Sequence, residues 1–283
     1  MAQSIQSLVA IDLDRERIED WCRLRAQAIS AGPDLTLCRV LGKHLLYTLS
    51  RDSALTPHLA MNGIWEPWVT MAIARHVKPG MHCLDVGACY GYYSILMADL
   101  VGDGGSVDAW EPVHWDLLHT NIALNGMGDR VFAKNMTLGT DQGAECRLVA
   151  SLPNKLGLFN AGGASVHNYA PDGDTEESLT TRAMVSSTDA TYDFVKIDVE
   201  GAEMDVFDAL GHITRNRNHP LTVCMEFTPW MHKDPREELM RGAGYGFSLK
   251  TIDSDGSLRA IEIEDAAGEL DMGEFRMLWL ERK

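Results

Sequence analysis

Alternation of strand-like and helix-like segments constrains the fold of this chain most. Apolar segments at residues 81–86, 106–110 and 131–135 are separated by helix-like stretches, so two successive βα units feed a third strand. The same alternation resumes between residues 193 and 241. It predicts an α/β fold with a mostly parallel sheet covered by helices on both faces. Residues 244–282 read as strands and predict a closing antiparallel β-hairpin.

The N-terminal part of the chain has a different pattern, and we interpret residues 1–60 as an accessory region. An apolar stripe predicts a helix over residues 14–30, and two short apolar runs at 35–40 and 44–49 predict a β-hairpin. Residues 61–283 would then form the main domain.

One segment of the main domain breaks the alternation. Residues 137–189 are rich in Gly, Asn, Ser and Thr, above all around 160–181. Long excursions of this kind in a compact domain are usually functional or disordered. We therefore predict an irregular segment that covers the substrate site.

Charge and cysteine usage exclude several classes of partner. The formal net charge is 25 − 41 = −16, which repels phosphate backbones and anionic lipids, so no nucleic acid or membrane partner is expected. The six cysteines form no CxxC pair and have no paired histidine spacing, so no metal centre of the zinc type is predicted. The sequence shows neither a basic leader before a long apolar stretch nor a segment of membrane-spanning length, and a cytoplasmic location is expected.

A glycine-bearing turn follows the first predicted strand, in the segment LDVGACYGYYS at 84–94. Gly87 permits a tight turn that brings backbone amides near a ligand, and Gly91 permits close packing of the next helix. The pattern departs from the GxGxxG of dinucleotide-binding loops, and Asp85 would oppose a pyrophosphate. A ligand with an amino group fits better. A plain strand–turn–helix corner is the alternative interpretation.

Glu111 lies at the end of the second predicted strand, where an acid can accept hydrogen bonds from both ribose hydroxyls. Together with Asp85, it indicates a nucleoside that carries an amino acid, as in S-adenosylmethionine. The alternative is a surface acid that precedes Pro112.

A second acidic segment follows the excursion. Lys196 and Asp198 lie on one face of a predicted central strand, where charged residues are costly unless they are paired or functional. A structural ion pair is the competing interpretation. Glu200 and Glu203 share a face of the next helix start, where the helix dipole alone also favours acids. Glu226 ends the following strand, so its side chain would reach the same crevice at the carboxyl ends of the strands.

Four segments resemble the FkbM family of S-adenosylmethionine-dependent methyltransferases: Gly63–Pro67, DVGACYGYYS, Ala109–Pro112 and VKIDVEGAE at Val195–Glu203. The resemblance implies a class I methyltransferase (Rossmann-like) sheet, S-adenosyl-L-methionine as cofactor, and O-methylation of a hydroxyl on a sugar or secondary metabolite. Cys89 stands where the family usually has Asn.

The resemblance also implies the site residues. Lys196 to Glu203 would border the acceptor, and Asn135 and Met136 would surround the adenine. The cofactor contacts that it implies are Glu66, Asp85, Gly87, Ala88, Gly91, Tyr92, Glu111, Pro112, Asn135, Met136 and Asp198.

An alcohol is a poor nucleophile, so a carboxylate within hydrogen-bond reach should take its proton during methyl transfer. Asp198 and Glu200 are the candidate bases, with Lys196 orienting them or the substrate. One alternative is a metal-assisted enzyme in which Asp198 and Glu226 hold Mg²⁺. Others are a non-catalytic adenosyl-binding scaffold, with Cys89 marking lost chemistry, and a nucleotide-dependent oxidoreductase, which lacks its expected GxGxxG.

Overall fold

A computed structural model describes residues 14–151, 156–165, 178–271 and 274–283. Its strands are β1 Gln27–Ser30, β2 Leu35–Val40, β3 His44–Leu49, β4 His82–Val86, β5 Ser106–Trp110, β6 Val131–Lys134, β7 Thr137–Leu138, β8 Glu145–Ser151, β9 Ala164–Ser165, β10 Ser178–Ser186, β11 Phe194–Ile197, β12 Leu221–Phe227, β13 Ser248–Ile252, β14 Leu258–Ala260 and β15 Arg276–Arg282. Its helices are α1 Arg15–Arg23, α2 Leu55–Asn62, α3 Pro67–His76, α4 Tyr92–Val101, α5 Trp115–Leu124, α6 Glu203–Ala209, α7 Gly211–Thr214, α8 Pro235–Gly244 and α9 Ile263–Ala266.

The main sheet has eight strands in the order β14-β13-β15-β12-β11-β4-β5-β6. The strands from β12 to β6 are parallel, and β15, β13 and β14 continue the sheet in antiparallel pairings. The predicted α/β class and the closing antiparallel strands are therefore confirmed. Chain order reverses between β4 and β11, and ligand crevices form at such a switch point.

The N-terminal strands form a separate antiparallel sheet, β1-β2-β3. The predicted hairpin is correct, but the helix predicted over residues 14–30 is wrong in its second half. Helix α1 ends at Arg23, and Gln27–Ser30 pairs with β2 instead. Pairing with a neighbouring strand outweighs the weak helical pattern of this segment, and local periodicity cannot reveal such a partner.

Two asparagines, Asn121 in α5 and Asn125 directly after it, bond the edge of this sheet. Asn121 Oδ1 accepts a hydrogen bond from Tyr47 N–H (2.7 Å), and its Nδ2 donates to the carbonyl oxygens of Tyr47 (2.9 Å) and Tyr90 (2.8 Å). One helical turn later, Asn125 makes the corresponding pair with the backbone of Leu45. The two side chains thus satisfy backbone N–H and carbonyl groups at the edge of β3, as a neighbouring strand would.

The excursion is not irregular where the structure describes it, which corrects the sequence-based expectation. It contains a four-stranded sheet in the order β7-β10-β8-β9, in which β8 and β10 pair antiparallel over seven residue pairs. Pairing across a long intervening segment leaves no local signal in a Ser- and Thr-rich sequence. Near the C-terminus, helix α9 interrupts a region that was expected to be all strand.

Among the described residues, no helix has the length and apolarity needed to cross a membrane.

Candidate active site

A cavity of about 610 Å³ lies at the carboxyl ends of β4, β5, β11 and β12, and it spans the switch point. Its described lining includes eight acidic residues but no Lys, Arg or His. The acids that line it are Glu66, Glu111, Asp141, Asp198, Glu200, Asp205, Glu226 and Glu274. A volume in this range accommodates a small-molecule ligand.

The glycine turn after β4 forms part of the wall, but its amides are not free for a ligand. The N–H groups of Gly87 and Ala88 both donate to the carbonyl oxygen of Trp110, at 2.9 and 3.1 Å. Gly87 has φ +82°, and a Cβ there would lie 1.7 Å from the carbonyl oxygen of Asp198. Glycine is therefore required because the ends of β4 and β11 approach closely, and amide donation to a ligand was the wrong reason. At Gly91 (φ +92°), a Cβ would lie 2.7 Å from Leu118, which agrees with the expected close packing.

Glu111 lines the cavity and is 5% exposed. Its carboxylate accepts three backbone N–H groups: Cys89 at 2.8 Å, Val113 at 2.6 Å and His114 at 2.8 Å. A carboxylate has about four acceptor positions, so roughly one is left. In the protein without ligand, Glu111 thus keeps about one acceptor position, and hydrogen bonds from both ribose hydroxyls stay a prediction.

Asp85 is not among the residues that line the cavity. It is fully buried, its Oδ2 accepts from the Ser94 hydroxyl at 2.6 Å, and its Oδ1 has no partner. Burial raises the pKa of Asp85 to about 6, although the nearby Lys196 opposes this shift. The partnerless oxygen is an acceptor that a ligand amine or a bridging water could satisfy.

Glu66 enters the cavity with an unfavourable backbone conformation, φ +38°, directly before Pro67 at the start of α3. The Tyr93 hydroxyl donates to its carboxylate at 2.5 Å, and burial raises the pKa of Glu66 to about 7 against the charge of Lys196. Cys89 (φ +48°) and Glu200 (φ +53°) also line the cavity. Left-handed backbone at non-glycine residues costs about 1–3 kcal/mol each and tends to cluster at functional sites.

The Lys196–Asp198 pair is present as a short contact, with Nζ 2.7 Å from Oδ2. Lys196 is 1% exposed, lies over the ring of Tyr93 at 4.4 Å and lies outside the described lining, whereas Asp198 faces the cavity. Burial would lower the pKa of Lys196, but the charges of Asp198, Asp85 and Glu66 outweigh burial and raise it. The ammonium is thus a fixed positive charge behind the carboxylate.

Three carboxylates converge at one end of the cavity. Asp198, Glu200 and Glu226 offer oxygens that all lie within 4.8 Å of one another. Burial, followed by the charges of Asp198 and Glu203, raises the pKa of Glu200 to about 8. Burial and the charges of Asp198 and Glu200 raise the pKa of Glu226 well above its ordinary value. A hard cation would find oxygen ligands here, and so would the proton of an acceptor hydroxyl.

The structure brings most of the other predicted contacts to the same cavity. Ala88, Tyr92, Pro112 and Met136 line it, whereas Gly91 and the exposed Asn135 lie outside its described lining. Sequence reasoning missed the aromatic wall, for which no local pattern gave a signal. Its members include Trp65, Tyr93, Trp110, Trp230 and Phe275.

These residues fit an S-adenosyl cofactor. The cavity has the size for it, Asp85 Oδ1 is a buried acceptor without a partner, and Glu111 keeps about one free acceptor position. Fold and site therefore define a class I methyltransferase, and its cofactor is S-adenosylmethionine.

The family follows from the sequence of the same region. Residues 85–248, more than half of the chain, match the family model of the methyltransferase FkbM domain. The chain belongs to the FkbM methyltransferase family.

Comparison with curated proteins found no match. Among solved structures, an S-adenosylmethionine-dependent O-methyltransferase from Thermotoga maritima is similar at 13% identity and a TM-score of 0.40, over 76% of this chain and 64% of that one. TYW2 of P. horikoshii, solved with MeSAdo, is similar at 13% identity and a TM-score of 0.44, over 94% and 81% of the two chains. A methyltransferase FkbM from Methylobacillus flagellatus is similar at 9% identity and a TM-score of 0.42, over 76% and 53%. This chain thus spans less than two thirds of the first and third of these structures.

Proposed function

We propose that this methyltransferase O-methylates a hydroxyl of a small molecule, a sugar or a secondary metabolite, with a carboxylate of the protein as general base. The observation that carries the proposal is the position of Glu200, which lines the cavity with a carboxylate oxygen within 4.8 Å of those of Asp198 and Glu226 and whose pKa burial raises to about 8. A general base works best when its pKa lies near the working pH. When bound, S-adenosylmethionine supplies an electrophilic methyl group on its sulfonium.

Each of the three converging carboxyl groups has a distinct role in this proposal. Glu200 would accept the proton of the acceptor hydroxyl. Asp198, held by Lys196 Nζ at 2.7 Å, is a fixed negative charge that positions the acceptor. Burial and the charges of Asp198 and Glu200 raise the pKa of Glu226, which favours its protonated form, and in that form it donates a hydrogen bond to the acceptor.

The excursion closes the other side of the proposed acceptor site. Asn160, Ala161 and Gly162 line the cavity. The Ala161 backbone is held from two directions: its N–H donates to Asp52 Oδ1 at 3.3 Å, and its carbonyl oxygen lies 3.0 Å from His114 Nε2. We therefore retain the proposal that residues 137–189 cover the substrate site. Because Asp52 belongs to the N-terminal part, the proposed accessory region of residues 1–60 would support this cover.

The test is release of S-adenosylhomocysteine when the protein is incubated with S-adenosylmethionine and a library of hydroxyl compounds. Turnover with a library member is expected, and Glu200→Gln should reduce it at least about a hundredfold. The matched control is Glu237→Gln, the same change at an exposed residue of α8, which should leave turnover unchanged. Tight binding of S-adenosylhomocysteine without turnover on any hydroxyl compound would favour the non-catalytic scaffold instead.

The convergence of Asp198, Glu200 and Glu226 supports a second candidate, metal-assisted O-methylation with Mg²⁺ on these carboxylates. Turnover that is lost with a chelator and restored by Mg²⁺ would favour it. Turnover that a chelator does not change would favour the carboxylate-assisted reaction.

A further inference from the structure

The turn between β11 and α6 carries Asp198 and Glu200 and has a backbone that needs support. Glu200 has φ +53° and Gly201 has φ +95°, so two successive residues are left-handed. Such a conformation persists at a non-glycine residue only when its surroundings hold it in place.

Glu203, at the first position of α6, supplies that support. Its Oε1 accepts hydrogen bonds from the N–H of Gly201 at 2.9 Å and, more weakly, from the N–H of Val199 at 3.3 Å. The residue is 2% exposed, so these bonds are shielded from water. The two amides flank Glu200, and this one carboxylate therefore fixes the orientation of the proposed base.

His232 lies within ion-pair distance of the second oxygen of Glu203, an atom that has no hydrogen-bond partner of its own. Its Nε2 lies 3.2 Å from Glu203 Oε2, its Nδ1 lies 2.8 Å from Glu238 Oε2, and its ring stacks on Phe227 at 4.2 Å. The His232 side chain is 3% exposed. The described charged groups that face it are Glu203 from α6 and Glu238 from α8, while β12 presents the uncharged Phe227.

We propose that Glu203 and His232 are positioning residues, which hold the Asp198–Gly201 turn against the loop that follows β12. We call this Glu203–His232 contact the lock. His232 directly follows Trp230 and Met231, which line the cavity, so the pair joins two walls of the site. The proposal rests on the proposed function only for the chemical roles of Asp198 and Glu200. The lock itself is a property of the fold.

The lock depends on the protonation of His232. Only the imidazolium has an N–H on both nitrogens, and the neutral ring would turn a lone pair toward a carboxylate oxygen. Burial lowers the pKa of His232, but the hydrogen bond and charge of Glu203 and the charge of Glu238 outweigh it and raise the pKa. Since the folded-state pKa is raised, the imidazolium is present below that value, and the lock weakens as pH rises through it.

The experiment measures backbone amide exchange of Val199 and Gly201 in the full-length protein, together with the ¹⁵N signals of His232. His232→Phe keeps a ring on Phe227 but removes both donors, so exchange of the two amides should accelerate at least tenfold. The matched control is His219→Phe, which removes a histidine whose ring Nε2 lies 2.9 Å from the carbonyl oxygen of Tyr192. Exchange at residues 199 and 201 should not change in this control.

Glu203 variants separate positioning from general stability. Glu203→Ala should accelerate exchange as His232→Phe does. Glu203→Gln keeps an acceptor oxygen and should restore protection, while it lowers the pKa at which His232 titrates. With an acceptor from the hydroxyl library, Glu203→Ala should lower the single-turnover rate at least tenfold and change affinity for S-adenosylhomocysteine less than threefold.

Unchanged amide exchange in His232→Phe, or a neutral His232 at pH 6, would overturn the lock. Accelerated exchange with an unchanged single-turnover rate would overturn its role in positioning the base. If no library member is methylated, the proposed function fails while the exchange data still decide the lock, so the two failures are distinguishable.

Discussion

At the residue scale, the buried charged side chains determine the protonation chemistry that this cavity supports. Lys196 is the one basic side chain placed next to Asp198, Glu66 and Asp85, so acids outnumber bases among the described buried groups. Several of these acids therefore have raised pKa values. Sequence reasoning found Lys196 and Asp198 because charges in a central strand are conspicuous. It could not find Tyr93 and His232, whose roles depend on contacts between distant segments.

Asp198→Asn distinguishes chemistry from stability at this pair. The change removes the carboxylate charge but leaves Glu66 and Asp85 near Lys196, so we expect an unfolding penalty below about 3 kcal/mol. We expect single-turnover rates to fall at least about a hundredfold. Denaturant midpoints and rates are measured on the same variant. Near-normal turnover in a strongly destabilised protein would mean that the ion pair serves only the fold.

The pH dependence of kcat/KM should show an acid limb that belongs to Glu200. Its raised pKa keeps the carboxyl protonated, and inactive as a base, below about pH 8 in the ligand-free protein. Activity should therefore rise about tenfold per pH unit as pH approaches that value. Residual activity of Glu200→Gln should lack this limb. An identical limb in the variant would assign it to another group.

The sequence predicts a role for Glu111 in ligand binding but not its role in the fold. Besides facing the cavity, it holds three backbone amides. Glu111→Ala should therefore lower the free energy of unfolding by about 3 kcal/mol as well as weaken binding of S-adenosylhomocysteine. Denaturant unfolding and titration calorimetry measure the two effects. A fully stable variant with weakened binding would show that Glu111 is a ligand contact alone.

At the element scale, docking of helix α5 on strand β3 joins the N-terminal sheet to the rest of the fold. Asn121 is fully buried, and its removal leaves one N–H and two carbonyl groups without partners. The sequence predicted both α5 and the hairpin but not their contact, because amide side chains that cap a strand edge have no periodic signature.

Asn121→Ala should lower the free energy of unfolding by about 3 kcal/mol. Thr120→Ala is the control on the exposed face of the same helix and should change it by less than about 0.5 kcal/mol. Urea unfolding of the two variants provides the comparison. Equal stabilities would contradict the docking role.

At the scale of the whole molecule, the parallel sheet and its switch point were predictable because buried βα units repeat a strong pattern. The sheet of the excursion and the strand at Gln27–Ser30 were not, because each forms only through pairing with a partner strand. The same division applies to the site. Acids at strand ends are visible in the sequence, whereas the aromatic wall and the support of the Asp198–Gly201 turn arise only on folding.

The central claim, that this cavity binds an S-adenosyl ligand and not a dinucleotide, is tested most directly by ligand-induced stabilisation of the intact protein. At 100 times its dissociation constant, S-adenosylhomocysteine should stabilise the fold by about 2.7 kcal/mol, while NAD at the same concentration should have no effect. Stabilisation by NAD without any by S-adenosylhomocysteine would contradict the account.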